Sequence, residues 1–491
     1  MPLRTAALLT GLVCVASAAW GQAARGQRPI AIVHATVIDG TGAGPRRDQT
    51  VLVRGSRIAA VGPTGRVRLP PGTRVIDATG KVLIPGLWDA HVHLIPEIQP
   101  RDPSDTAVDV YLPMLLANGV TAVRDMGGEL DSLVGWRRAI AGGRLVGPRL
   151  FTGGPKLKET DPAKARNAVR RLARAGVDFI KVGSEMSREA YFAAVDEARR
   201  VGLPVVGHVP EGVTVLEAAA AGQRSIEHLN GVLLAASADP RSAEALLELA
   251  SRPADPATRR ARTQAFHDRL LDTFSEEAAG RLFRRLEASR TWQVPTLTGF
   301  AQRGFALDTV PMHAPWVRYA PPGLMAHRTR AMADRRRSLP PRGVVRARRY
   351  VERHLMLVGA MRRAGVPIVA GTDTPSAAGL PGFSLHGELE LLVQAGLSPM
   401  EALVAATLEP ARLLGVADSL GSIAPGKVAD LVLLEADPLE RIGNTRRVVA
   451  VVAAGQYRPR GELVAMLERV GARVVLARRE GRAAASSGAA E

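Results

Sequence analysis

The stretch KVLIPGLWDAHVHL, residues 81–94, decides the reading of this chain. An apolar run ends in two histidines one residue apart. On a strand successive side chains point to opposite faces, so His91 and His93 share one face and Val92 takes the other. Two imidazoles converging at one strand end can present two nitrogens to a single metal ion. A lone His-x-His also arises by chance or as ordinary hydrogen bonding, so the rest of the chain has to supply further ligands.

Downstream of residue 83 strands alternate with helices. The strand candidates after the first are GVTAVRDMG, GPRLFTGG, VDFIKVGSE, LPVVGHVP, RSIEHL, WQVPTLTGF and VPIVAGTDT. Between them lie helical patterns such as AKARNAVRRLARAG and REAYFAAVDEARRVG, each ending on glycine. Eight strand–helix units in series predict an α/β fold with a closed (β/α)8 TIM-type barrel. Residues 29–80 instead read as short β-branched strands, and strands return in GSIAPGKVADLVLLEAD and TRRVVAVVAAGQ. The two ends therefore pair, on this reading, into a small β-sandwich domain. Residues 29–82 form its N-terminal part, 83–413 the barrel with helical insertions, and 414–460 its C-terminal part. Residues 461–491 supply a helix or strand and a disordered tail. The insertion at 235–290 reads as helical, and that at 300–350, with Trp316 and Tyr319, as a lid.

Residues 1–21 have the form of a secretory signal peptide: Arg4, then the short apolar run AALLTGLVCVASAA, then small residues around AWGQA. The expected location is periplasmic or secreted. Val13 before Cys14 argues against a lipid anchor. Cys14 is the only cysteine, so the mature chain can hold metal only through nitrogen and oxygen. No later run is long and apolar enough to span a membrane. The formal charge is +18, yet only six of 65 basic residues are lysine and the arginines scatter among alanines. That pattern lacks the aromatic-interleaved basic stripe of a nucleic-acid binder, and no nucleic-acid partner is expected.

In a parallel barrel, chemistry gathers at the C-terminal strand ends. Those ends carry His91 and His93, Lys181, His208, His228 and Asp373. With GKVLIPGLWDAHVH, GVTAVRDMGG, DFIKVG, IEHL, AGTDT, HGELELLVQAGLSPMEALVAAT and GSIAPGKVADLVLLEADPL in this order, the chain resembles the amidohydrolase superfamily of metal-dependent hydrolases. The likeness is to its imidazolonepropionase-like and prolidase-like branch, which includes secreted dipeptidases and carboxypeptidases. The resemblance implies two divalent metal ions, zinc by default. His91, His93 and Asp373 would bind the more buried ion, His208 and His228 the second, and Lys181, carboxylated by carbon dioxide, would bridge them. A lysine ammonium between two dications would be repelled, so Lys181 there has to be neutral or modified.

The same resemblance implies hydrolysis of an amide or peptide bond, in a dipeptide or N-acyl amino acid, by attack of a metal-bridged hydroxide, with Asp373 moving the proton. Two alternatives stay open at this point: a mononuclear amidohydrolase acting on a cyclic amide or amidine, and a non-catalytic binding barrel. The partner expected is a small-molecule or dipeptide-like substrate; a homo-oligomer is compatible with the sequence, which identifies no interface. Lys181, His208, His228 and Asp373 each also have a structural reading, as a snorkelling lysine, core histidines and a turn cap. Asp89 and Glu227 read as structural groups on the opposite strand face, Arg124 and Asp125 as an ion pair. His386 stands between packing and pocket lining. His34, His267, His313, His327 and His354 read as surface or core, with His313 and Tyr319 weak candidates for substrate contact.

Overall fold

Gly86 divides the opening run between two sheets. A Cβ there would collide with Thr121, so only glycine lets the chain pass this closely from one sheet to the next. The structure, a computed structural model, describes residues 28–95, 107–239, 241–242, 256–305, 315–338, 341–376 and 379–487. The expected signal peptide lies outside them.

Before Gly86 come β1 (Ile30–Val37), β2 (Arg46–Arg54), β3 (Arg57–Pro63), β4 (Arg74–Asp77) and β5 (Val82–Pro85). After it come β6 (Leu87–Val92), β7 (Val120–Asp125), β8 (Arg149–Thr152), β9 (Ile180–Val182), β10 (Val205–Gly207), β11 (Ser225–Glu227) and β12 (Trp292–Val294). The chain ends with β13 (Leu431–Leu434), β14 (Val448–Ala453) and β15 (Gln456–Pro459). One eight-stranded sheet runs β15-β14-β13-β5-β1-β2-β3, with β4 beside β1. Its central seam joins the chain ends: β5 pairs antiparallel with β13, Leu83 opposite Leu433. VLIP therefore belongs to this sheet, which moves the boundary expected at residue 83 to Gly86.

Where the sequence suggests two sheets of a sandwich, hydrogen bonding runs unbroken through one sheet that bends back on itself. The Ile58 amide in β3 donates to the Lys427 carbonyl (2.8 Å), just before β13. The bend encloses Ile32, Val37, Val53, Leu83, Leu433 and Val452. Each such aliphatic side chain contributes about 1.5–3 kcal/mol on full burial.

The strands after Gly86 are parallel and fall into two sets, β6-β7-β8 and β9-β10-β11-β12. The Asp178 amide donates to the Thr152 carbonyl (2.8 Å), linking β8 to β9. On the other side residues 366–374 lie between β12 and β6: Val369 N–H donates to Gln293 O (2.9 Å), Ala90 N–H to Ala370 O (3.0 Å) and His93 N–H to Thr374 O (2.9 Å). Backbone hydrogen bonds thus link β8 to β9, and residues 366–374 to both β12 and β6. That segment, the eighth expected strand, makes isolated bridges instead of a full strand. Gly371 lies too close to His91 and Val294 for a side chain, and Asp373 is left-handed at φ 58°, so the pleat cannot continue through it.

The connecting helices follow their sequence signals. Asp161 caps Pro162–Ala175 by accepting from the Lys164 amide, and Gly176 ends it at φ 77°. Ala165, Ala168, Val169 and Leu172 form the buried stripe at helical spacing. Two expectations for the later segments change. Tyr319, read as part of a lid, is buried, stacks on Phe383 with centroids 5.6 Å apart, and lies beside the C-terminal helix, whose Arg478 donates to the carbonyls of Val317 and Ala320. The expected C-terminal helix is Arg460–Ser487, with Val470 and Val474 in the main core, and it runs on into the stretch read as a disordered tail.

Candidate metal centre

His91 and His93 leave the end of β6, His208 follows β10 and His228 follows β11. Each is held by a partner at Nδ1. His91 meets Glu227 Oε2 at 2.8 Å, His93 the Gly127 carbonyl at 3.1 Å, His208 the Ser184 hydroxyl at 3.1 Å and His228 the Thr296 hydroxyl at 2.7 Å. Ring centroids run His93–His91–His228–His208 at 5.4, 4.6 and 5.3 Å. Asp373 Oδ1 lies 3.4 Å from His91 Nε2 and 3.2 Å from His93 Nε2. One ligand atom each from His91, His228 and Asp373 falls within 4.8 Å of the others.

His228 and Asp373 both sit at positive φ, 59° and 58°. Neither is glycine, and such conformations cost on the order of 1–3 kcal/mol. Here they turn the two side chains inward just beyond their strands. His91 Nε2 is buried without a hydrogen-bond partner. An orphaned buried acceptor is destabilising, and a divalent cation among these nitrogens and the Asp373 carboxylate would satisfy it. The donor set fits a metal.

Lys181 projects from β9 and is 1% exposed. Burial pushes it down to about 8, against the Glu227 and Asp373 carboxylates, which pull it up. Burial also lowers His91 and His208, with Lys181 as the next cause for each. Burial alone would raise Asp373, but His228 and the other histidines hold it well below the usual carboxylate range. Gly207, before His208, has φ 127°, and a Cβ there would collide with the Val182 carbonyl and approach Lys181 Cδ to 3.0 Å. Glycine is what lets β10 carry His208 this close to Lys181.

Three sequence readings of the surroundings, of the Arg124–Asp125 pair, of Glu227 and of Asp89, are corrected. Arg124 pairs not with Asp125 but with Glu227, its Nη2 lying 2.8 Å from both carboxylate oxygens. Asp125 accepts instead from the Leu94 and Gly127 amides. Glu227 is not on the far face. The left-handed His228 breaks strand alternation, so neighbouring residues 227 and 228 both reach the centre. Asp89, two residues before His91, accepts from the Thr372 amide (3.0 Å) and hydroxyl (2.6 Å), bolting β6 to the eighth segment. His386 is buried against the Thr445 hydroxyl (3.0 Å), a packing role. His354 stacks on Phe300 and His34 pairs with Asp48 at the surface; His313 lies outside the described residues.

A parallel α/β fold with histidines, a buried lysine and a carboxylate at its strand ends defines the class of metal-dependent hydrolases. The amidohydrolase family profile matches residues 82–458, and the chain belongs to that family. The ochratoxinase of Aspergillus niger is 23% identical over 444 residues, 84% of this chain and 82% of the relative. Among solved structures, bottromycin amidohydrolase superposes with a TM-score of 0.70 at 23% identity, covering 93% of each chain. A Xaa-Pro dipeptidase with methionine bound in its active site gives 0.63 at 21%, covering 88% of this chain and all of that one. Folds of this family imply a TIM barrel with a β domain. The protein is a hydrolase of carbon–nitrogen bonds in a metal-dependent family.

Proposed function

We propose that this chain is an exported binuclear amidohydrolase, built on a (β/α)8 barrel, that cleaves an amide or peptide bond in a dipeptide or N-acyl amino acid. The observation that carries the reading is the row of four Nδ1-anchored histidines with Asp373 against two of them and a buried lysine on β9, beside the strand that leads to His208. His91, His93 and Asp373 would hold one ion and His208 and His228 the other. Among the described residues the Lys181 ammonium makes no side-chain hydrogen bond or ion pair, its backbone carbonyl accepting from the Leu157 amide. A buried, unpaired ammonium beside two dications is untenable, and a carbamate, at −1, supplies the missing anionic bridge. Zinc suits an all-nitrogen and oxygen set.

Divalent ions held here would acidify a shared water and polarise a carbonyl. The residues do the rest. Asp373, against His91 and His93 and 41% exposed at its side chain, takes the proton released when water adds to the carbonyl and returns it to the departing nitrogen. The four anchored rings hold that geometry so that little reorganisation is left for the reaction. Names of relatives support the substrate class: an ochratoxinase and a Xaa-Pro dipeptidase. Export rests on residues 1–21 and is checked by the N-terminus of the mature chain in cell fractions.

The deciding test is elemental analysis of the purified protein, followed by assays on dipeptides and N-acyl amino acids. About two equivalents of metal per chain and release of free amino acid are expected. One equivalent with activity on a cyclic amide would replace the reading with mononuclear chemistry.

A further inference from the structure

The four histidines differ in what backs them. His93 has a backbone carbonyl, and His208 and His228 have neutral hydroxyls. At Nδ1 it is His91 that meets a carboxylate, and that carboxylate is itself gripped: Arg124 donates Nη2 to both oxygens of Glu227, and the Ser225 hydroxyl donates to Oε1 at 2.6 Å. Arg124 is fixed in turn, Nε to the Ala90 carbonyl (2.6 Å) and Nη1 to Ser225 (3.0 Å). All three side chains are buried.

An ionised carboxylate can only accept, so the proton of His91 resides on Nδ1 and Nε2 presents its lone pair. A ring hydrogen-bonded to an anion is also a more basic ligand than one bonded to a neutral hydroxyl. Arg124 and Ser225 keep the carboxylate from swinging away or taking the proton. We propose that Glu227, oriented by Arg124, is the positioning residue that makes the His91/His93/Asp373 position the tighter of the two metal sites and the first to fill. The site of His208 and His228, backed by hydroxyls, is the looser and exchangeable one. This rests on the binuclear reading and adds an order of loading and the residue that sets it.

The test is a competition titration of metal-stripped full-length protein with Zn²⁺ against a chromogenic chelator, which reads affinity and not turnover. Wild type is expected to show two constants. In Glu227→Gln the tighter one weakens by about 10- to 100-fold while the looser one is unchanged. Glu227→Asp keeps the charge opposite Arg124, which guards the fold, but draws the oxygens back from His91 by one methylene. It should weaken the same constant. Cobalt-loaded Glu227→Asp should show an altered visible spectrum at the first equivalent alone. Equal loss at both sites, or an unchanged tighter constant in a folded variant, overturns the proposal. A wild-type chain that takes up only one ion overturns the binuclear reading instead.

Discussion

On the proposed binuclear reading, Lys181 is the residue on which the chemistry turns. Lys181→Ala is expected to lower kcat below about 1% of wild type, with partial recovery in millimolar short-chain carboxylic acid, assayed on a cleavable dipeptide. A lysine that acted only by packing would give no such rescue. Asp373→Asn keeps the shape and removes the proton acceptor. A loss of at least about 100-fold in kcat, the scale of general acid–base catalysis, is expected in steady-state assays. That His91, His93, His208, His228 and Asp373 lie near one another was foreseeable from the sequence because each stands at or just past a strand end. The Arg124–Glu227 pair was not. Its members are 103 positions apart, and the alternation rule that hides Glu227 fails at a left-handed residue no local pattern announces. Asp89 was misplaced for a simpler reason: a spacing of two puts it on the side of His91.

At the scale of elements, the close approach of β9 and β10 is set by a glycine. Gly207→Ala should push β10 off β9, cut bound metal and lower the melting temperature by several degrees. Gly212→Ala, whose Cβ would meet only Arg188 Cβ at 3.7 Å, is the control and should leave both unchanged. The helix Val215–Ala220 carries a full capping box between Thr214 and Glu217, so Thr214→Ala should cost about 0.5–2 kcal/mol in a denaturant melt. Glu217 is held down to about 2, first by the hydrogen bond from Arg188 and then by the Thr214 amide. Because the folded value lies below that of an unfolded glutamate, its contribution is present above about pH 4.3 and fades as pH falls towards 2. The difference between wild type and Thr214→Ala should shrink over that window. Strands were largely legible here through β-branched runs, and helix ends through glycines and caps. The eighth strand was over-read, since VPIVAGTDT has the composition of a strand but the close contacts of Gly371 and the turn at Asp373 deny it a regular pleat.

For the whole molecule, the β5–β13 seam joins chain ends more than 340 positions apart, as Leu83 opposite Leu433 shows. The pairing of the two ends was readable from returning β-rich segments; that they make a single bent sheet was not, because register and closure depend on contacts far apart in sequence. A C-terminal helix was expected but its reach was not: it continues to Ser487 through an alanine- and arginine-rich end, while Leu463, Met466, Val470 and Val474 nearer its start are buried. Truncation after residue 460 should therefore lower the melting temperature well beyond what loss of a loose tail would do, as differential scanning calorimetry would show.

The anchors of the four histidines carry one more consequence. His91 is tied to β11, His93 to the turn after β7, His208 to Ser184 after β9, and His228 to Thr296 after β12. No imidazole is oriented by its own strand, and Asp373 arrives only with the last segment. With the proposed ions bound, the centre would also report on folding: a chain lacking any one of these segments would misalign the side chains, and high-affinity capture of an ion would mark their assembly.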